Sequence, residues 1–189
     1  MPKAADSRLL AKVVQNLREP ASQSSGRTGS ILTIAGARYT ASSVDDEETR
    51  PTGFDPQAAA LFEAIVESAY LVATADGNFD ATERGAFEHV VLTACDGALS
   101  ERKLRALLAD LEDLRVEDGV DKRIQMVAKM ISRADQAREV LRVAALIAQV
   151  SEGVSEVERL VLERLAAECK LPATAVDDAL GEVENALAE

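Results

Sequence analysis

The chain has no tryptophan, and its two tyrosines and four phenylalanines make up only 3% of 189 residues. This scarcity argues against nucleic-acid binding by base stacking, which needs aromatic faces. It also leaves a core to be built from Ala, Leu, Val and Ile. There is one histidine, His89, and there are two cysteines, Cys95 and Cys169, with no CxxC spacing. That pattern excludes a disulfide framework and fits a reducing compartment. No apolar run approaches the ~18–20 residues that span a bilayer, and the N-terminus carries no signal-peptide core. The expectation is a cytoplasmic protein that meets a membrane only through a partner. No phosphate-loop, dinucleotide, nucleophile-elbow or zinc-protease motif occurs. With one histidine and no nucleophile motif, the chain does not read as an enzyme, and no catalytic residue is assigned.

Basic residues are the minority, 21 against 33 acidic, for a net charge of −12. Residues 1–53 hold 7 basic and 6 acidic side chains; all of the excess negative charge lies in 54–189. An acidic body repels phosphate backbones and anionic lipid. Cations, or proteins with a basic surface, are the partners that it favours.

What is present is helical periodicity. Leu9, Leu10, Val13, Val14 and Leu17 predict a helix over about 6–18, ended by Pro20. A flexible linker follows. ILTIAGARYT, about 30–40, reads as a strand, an extended docking segment or a loop, and SSVDDEETRPTG as loose polar chain. Residues 1–53 therefore read as a mostly irregular extension, its apolar helix stripe to be buried on the body or in a partner's groove. From residue 54 to 189 the pattern predicts an all-α domain, a compact bundle of about seven helices. The first, over 56–75, shows Leu61, Phe62, Ile65, Val66, Ala69, Tyr70 and Ala73 at helical spacing.

This body repeats at a shift of 75 residues. Ile65 falls on Val140, Ala69 on Ala144, Ala73 on Ala148, Phe87 on Leu162 and Val90 on Leu165. Two helix–loop–helix units of one design are the expectation. Their loops are ATADGNFDATERGAF (73–87) and AQVSEGVSEVERLVL (148–162). In the first, Asp76, Asn78 and Asp80 have the oxygen spacing that opens a calcium loop, but Ala81 replaces the turn glycine and Phe87 the final bidentate Glu, with Glu88 one residue late. A looser divalent-cation site (Ca, Mg or Zn) at Asp76, Asp80 and Glu83 is the alternative, with Glu152 and Glu158 of the second loop as late contributors. Capping accounts for much of the same pattern. Gly77, Gly97, Gly119 and Gly153 follow helix ends, and Asp80, Ser100, Asp121 and Ser155 are placed to cap the next helices. Asp80-x-x-Glu83 and Ser155-x-x-Glu158 read as capping boxes. Asp76 is left over, since an acid near a helix C-terminus faces the negative end of the dipole. His89 reads as a surface histidine. Cys95 reads as structural, its thiol pKa raised by the neighbouring Asp96. The acidic run Asp110, Glu112, Asp113, Glu117, Asp118 and Asp121 reads as a solvated face or a dock for a basic partner.

Ala75-Asp76-Gly77 with Glu83, the degenerate Ser151-Glu152-Gly153 with Glu158, and LAAECKLP ending at Pro172 together resemble the TerB-like tellurite-resistance family over about 56–188. The resemblance implies a seven-helix bundle acting as a non-enzymatic interaction or scaffold module. It also implies a place in tellurite and other stress responses, membrane-associated complexes reached through partners, and metal binding by acidic residues. The second motif lacks the Asp, which departs from a symmetric two-centre site.

Overall fold

The computed structural model describes residues 4–18, 30–40, 55–77, 79–149 and 153–188. These fold into nine helices with no strand among them: α1 (Ala4–Arg18), α2 (Ile31–Thr40), α3 (Pro56–Ala73), α4 (Ala81–Ala94), α5 (Glu101–Asp118), α6 (Val120–Met130), α7 (Ala134–Ala148), α8 (Glu156–Glu168) and α9 (Ala175–Ala188). The expected linkers at 19–29 and 41–53 lie outside the described residues. None of the described helices is long and apolar enough to cross a membrane.

Two helices have no wet face. Residues 64–72 of α3 and 139–148 of α7 are buried throughout, as expected for helices that are apolar all round. They pack on each other. Ala64, Ala69, Ala144, Ala145 and Ala148 are among their buried residues, and such small side chains allow close approach of helix backbones. The other helices cover this pair. The buried carboxylate of α3 is matched by a cation, because an unpaired buried charge is costly. Glu67 of α3 takes two hydrogen bonds from the Arg123 guanidinium of α6, at 2.6 and 3.0 Å. Arg123 also donates to Asp118 at 3.2 Å.

The segment 30–40 is neither strand nor loop. It is α2, with Ile31, Leu32 and Ala35 buried against the body. Ten residues with an internal glycine make a poor isolated helix, so tertiary burial decides the conformation. Its N-terminus is capped twice: Ser30 Oγ accepts the Thr33 N–H at 3.3 Å, and Glu139 of α7 accepts the Ile31 N–H at 2.7 Å. Arg38 near its other end pairs with Asp55, the N-cap of α3, at 2.9 Å. Gly36 is the contact point, because a Cβ there would lie 2.9 Å from Cys95 Sγ and 3.3 Å from the Phe62 ring.

The apolar stripe of α1 is buried on the body, with Val13 and Leu17 fully covered. Three cationic side chains, each donating to a backbone carbonyl, hold α1 there. Lys12 donates to Leu187 O at 2.7 Å, Arg18 to Thr93 O at 2.6 Å, and Arg142 to Asn16 O at 3.1 Å. The described parts of residues 1–53 are thus helical and share the core.

One expected cap is absent. Helices α5 and α6 are joined by Gly119 alone, which caps both, at φ 78°. Asp121 therefore falls inside α6 and pairs with Arg164 of α8 at 2.6 Å. A one-residue junction leaves no room for a side-chain cap, and the left-handed φ there suits glycine.

The fit around Gly36 yields a stability prediction. Gly36→Ala should destabilise the fold by about 1–3 kcal/mol from overpacking, despite the gain in helix propensity. Removing the facing sulfur with Cys95→Ala should shrink that cost. Chemical denaturation of the two single variants and the double variant measures the coupling; strictly additive losses would contradict the contact.

Candidate functional site

The first elbow joins α3 to α4. Helix α3 ends on Thr74, whose N–H and hydroxyl both donate to Tyr70 O. Gly77 at φ 82° then turns the chain. Asp80 is the N-cap of α4. Its Oδ1 accepts the N–H groups of Thr82 (2.7 Å) and Glu83 (2.9 Å), and Glu83 Oε2 accepts the Asp80 N–H at 3.1 Å. The predicted capping box is therefore formed. At the second elbow, Ser155 Oγ accepts the Glu158 N–H and Glu158 Oε2 accepts the Ser155 N–H at 2.7 Å, closing the box of α8. Ser100 caps α5 as expected.

Phe79 is the residue that sequence reasoning missed. Its ring stands edge-on to Tyr70 (5.6 Å, 89°) and Phe87 (6.0 Å, 87°), and Arg84 lies 5.6 Å above it. Phe79 precedes the N-cap, and Arg84 is the fourth helical residue, the two positions that a hydrophobic staple joins. An apolar residue just before a capping box was the available signal. The elbow is thus pinned from inside, while its carboxylates face out.

Tyr70 continues this anchor into the core. It is fully buried, and its hydroxyl donates to Glu112, which also accepts from Arg115 at 2.9 Å. Burial, together with the Glu112 carboxylate, pushes the Tyr70 pKa up to about 12. The hydrogen bonds from Tyr70 and Arg115 hold the Glu112 carboxyl below its ordinary range. The acidic run 110–121 is therefore partly spent within the chain: Glu112 on Tyr70 and Arg115, Asp118 on Lys122 and Arg123, and Asp121 on Arg164.

The two elbows line one cleft of about 660 Å³. Asp76, Asp80 and Glu83 stand on its first side, with Ser155 and Glu158 on the other. Glu152 and Ser151 lie outside the described residues, as does Asn78. Glu88 turns elsewhere and pairs with Arg105 of α5 at 3.0 Å. Among the described residues, no three His, Cys, Asp or Glu side chains gather closely enough to hold a metal ion. The carboxylates ring the cleft instead of converging within it.

A larger apolar groove of about 960 Å³ adjoins it, between α1 and α4. Leu10, Ala11 and Val14 form one wall; Gly85, Ala86 and His89 form the other. Thr82 and Ala86 line both the groove and the cleft, so the two adjoin at these residues. No sequence pattern announced this groove, because it exists only when α1 lies beside α4. His89 is exposed on its edge.

The cysteines are both helix C-caps, Cys95 of α4 and Cys169 of α8. Burial alone pushes the Cys95 thiol up to about 12, and so keeps it protonated at neutral pH. Asp96, expected to be the cause, instead pairs with Arg18 at 2.9 Å. Burial and, after it, Glu168 raise the Cys169 thiol.

Comparison with family models, with curated proteins and with solved structures gave no match to this chain.

The Tyr70 anchor gives a pH prediction. Its folded pKa of about 12 lies above the ordinary 10.0, so its contribution is complete below pH 10 and is lost as pH rises through about 12. At about 1.4 kcal/mol per unit, the loss is roughly 2–3 kcal/mol. Denaturation curves from pH 10 to 12 should show this alkaline loss, and Tyr70→Phe should reduce it, leaving the part that comes from the Cys95 thiol, also raised to about 12. An unchanged slope in Tyr70→Phe would place the titration elsewhere.

Proposed function

We propose that this chain is a TerB-like helical module that binds other proteins and performs no catalysis, in a bacterial stress-response system of the tellurite-resistance kind. The system is inferred from the sequence resemblance alone. The binding role is supported chiefly by the acidic elbow cleft and the apolar α1/α4 groove, which lie side by side at Thr82 and Ala86. An apolar surface rimmed by charge suits protein recognition. The buried, protonated Cys95 also fits a non-catalytic reading.

The two helix pairs α3–α4 and α7–α8 are read as copies of one unit. Both first helices end on alanines 75 residues apart, Ala73 and Ala148, and both second helices start 75 apart, at Ala81 and Glu156. Each elbow has a positive-φ glycine, a capping box and an apolar residue before it, Phe79 or Val154. Each second helix closes on a cysteine followed by a positive-φ residue, Asp96 or Lys170. The spacing is 74 there, because α8 is one residue shorter than α4.

Affinity capture from host cells tests the binding role. Partners held by the native chain should be lost with Thr82→Arg, which alters the shared face, and kept with Val116→Arg, an exposed site on α5. Equal loss in both variants, or no partner above a bait-free control, would refute it.

A second reading, a divalent-cation sensor at Asp76, Asp80 and Glu83 with Glu158 opposite, rests on these four carboxylates lining one cleft. Titration calorimetry with calcium, magnesium and zinc should then show millimolar or tighter binding that Asp76→Ala weakens at least tenfold. Heats indistinguishable from dilution, or binding indifferent to Asp76→Ala, dispose of this reading.

A further inference from the structure

We infer that the α1/α4 groove and the elbow cleft together receive an amphipathic helical peptide segment of a partner, with its apolar stripe in the groove and Lys or Arg residues at its N-terminal end in the cleft. This rests on the interaction reading above and names the partner's chemistry.

The groove has the dimensions of a helix seat. Its α4 wall runs from Thr82 to Thr93, which at 1.5 Å per residue is about 16 Å, or three turns. A helix of about 12 residues offers i, i+4, i+7 and i+11 anchors over that length. The lining is largely apolar, with Leu10, Ala11 and Val14 on one wall and the small Gly85 and Ala86 on the other.

Gly85 is the detail that the fold does not explain. It lies inside α4 with no positive φ, and a Cβ added there would meet nothing within 4 Å. A glycine inside a helix costs about 0.5–1 kcal/mol relative to alanine. No neighbour in the described structure requires it. A bare backbone on a groove wall is what close approach of another helix uses. Gly181 in α9 is equally uncrowded, so openness alone decides nothing; Gly85 differs in standing within the groove.

Charge selects the occupant and its direction. The acidic residues Asp76, Asp80, Glu83 and Glu158 lie at the end of the groove where α4 begins. At the other end Arg18 is balanced by Asp96. The positive N-terminal pole of a docked helix therefore belongs at the acidic end, which sets the peptide parallel to α4. A second copy of this chain would bring a net −12 to the same place. The undescribed stretches 19–29 and 41–54 have polar sequences without a helical apolar stripe, so they do not supply the occupant.

The test uses the full chain and three labelled 14-residue peptides in fluorescence anisotropy. The first carries leucines at i, i+4, i+7 and i+11 with three lysines in its first turn. The second replaces those lysines with glutamates. The third is a scramble of the first. The first should bind saturably, at least tenfold tighter than either control, and weaken with added salt. Gly85→Gln fills the seat while improving helix propensity, so it should weaken the first peptide at least tenfold with an equal or higher Tm. Asp76→Lys should weaken it several-fold. Equal binding of the scramble, equal binding of the glutamate peptide, or no effect of Gly85→Gln overturns the inference. Sedimentation showing a dimer that Gly85→Gln dissociates also overturns it, with a second copy as the occupant. Partner capture that survives Gly85→Gln while the peptides fail to bind sinks this inference and leaves the interaction module standing; loss of specific capture by the native chain sinks the module itself.

Discussion

The structure depends on the contact between α3 and α7, two helices with no solvated face through their middles. Neither is stable as a separate element, since each would expose a cylinder of apolar side chains to water. Burying one on the other leaves most of both cylinders uncovered, and the surrounding helices supply the rest. With few aromatic side chains, the central volume is filled by Ala, Val, Leu and Ile, so the backbones must approach closely. Gly36 against Cys95 and Phe62 shows how tight this becomes. The buried Glu67–Arg123–Asp118 set then fixes how α6 sits on α3, because a slipped register would leave charges unpaired in the core.

That same economy shapes the surface. Where two peripheral helices meet with small residues on both sides, nothing fills the space between them. Ala11 on α1 faces a wall containing Gly85 and Ala86 on α4, and a groove results. Beside the α3–α4 elbow at its end, the packing is aromatic instead. Phe79 is clamped between Tyr70 and Phe87, while Tyr70 is tied to Glu112 and Arg115. Motion of the elbow would have to break aromatic packing and a buried hydrogen bond together.

How much of this was legible in the sequence follows from the range of the interactions involved. The helices of the body and the capping boxes at Asp80 and Ser155 are local, determined within a few residues, and could be read directly. Helix α2 could not. Its ten residues show no clear amphipathic period, and beside the local Ser30 cap its helical state rests on burial against the body and on Glu139, distant in sequence, accepting the Ile31 N–H. The Asp121 cap failed on a local detail, the single-residue joint at Gly119, which no spacing rule distinguishes from a two-residue turn. Three of the expected cation-site residues do share a cleft with Glu158, yet two of the three, Asp80 and Glu83, are there because they cap a helix. The groove was illegible altogether, since its walls are 64 or more positions apart and only the docking of α1 creates it.

The capping role also bears on which ligand the acidic cleft suits. A calcium ion needs six to eight oxygens at 2.3–2.6 Å around one point. Asp80 and Glu83 each commit an oxygen to N–H groups of the α4 terminus, and Glu158 does the same on α8. These anchors hold the carboxylates in a ring that is shaped by two helix starts and not by an ion. The positive pole at each helix start, about half a charge, offsets part of the ring's negative charge, but four carboxylates against about one positive charge remain clearly negative. A point cation gains little from charges that it cannot gather. A row of lysines or arginines on a helix needs no convergence, because each ammonium or guanidinium can take its own carboxylate within the Debye length of about 8–10 Å. The geometry that weakens the case for coordination is thus the geometry that favours a distributed basic partner.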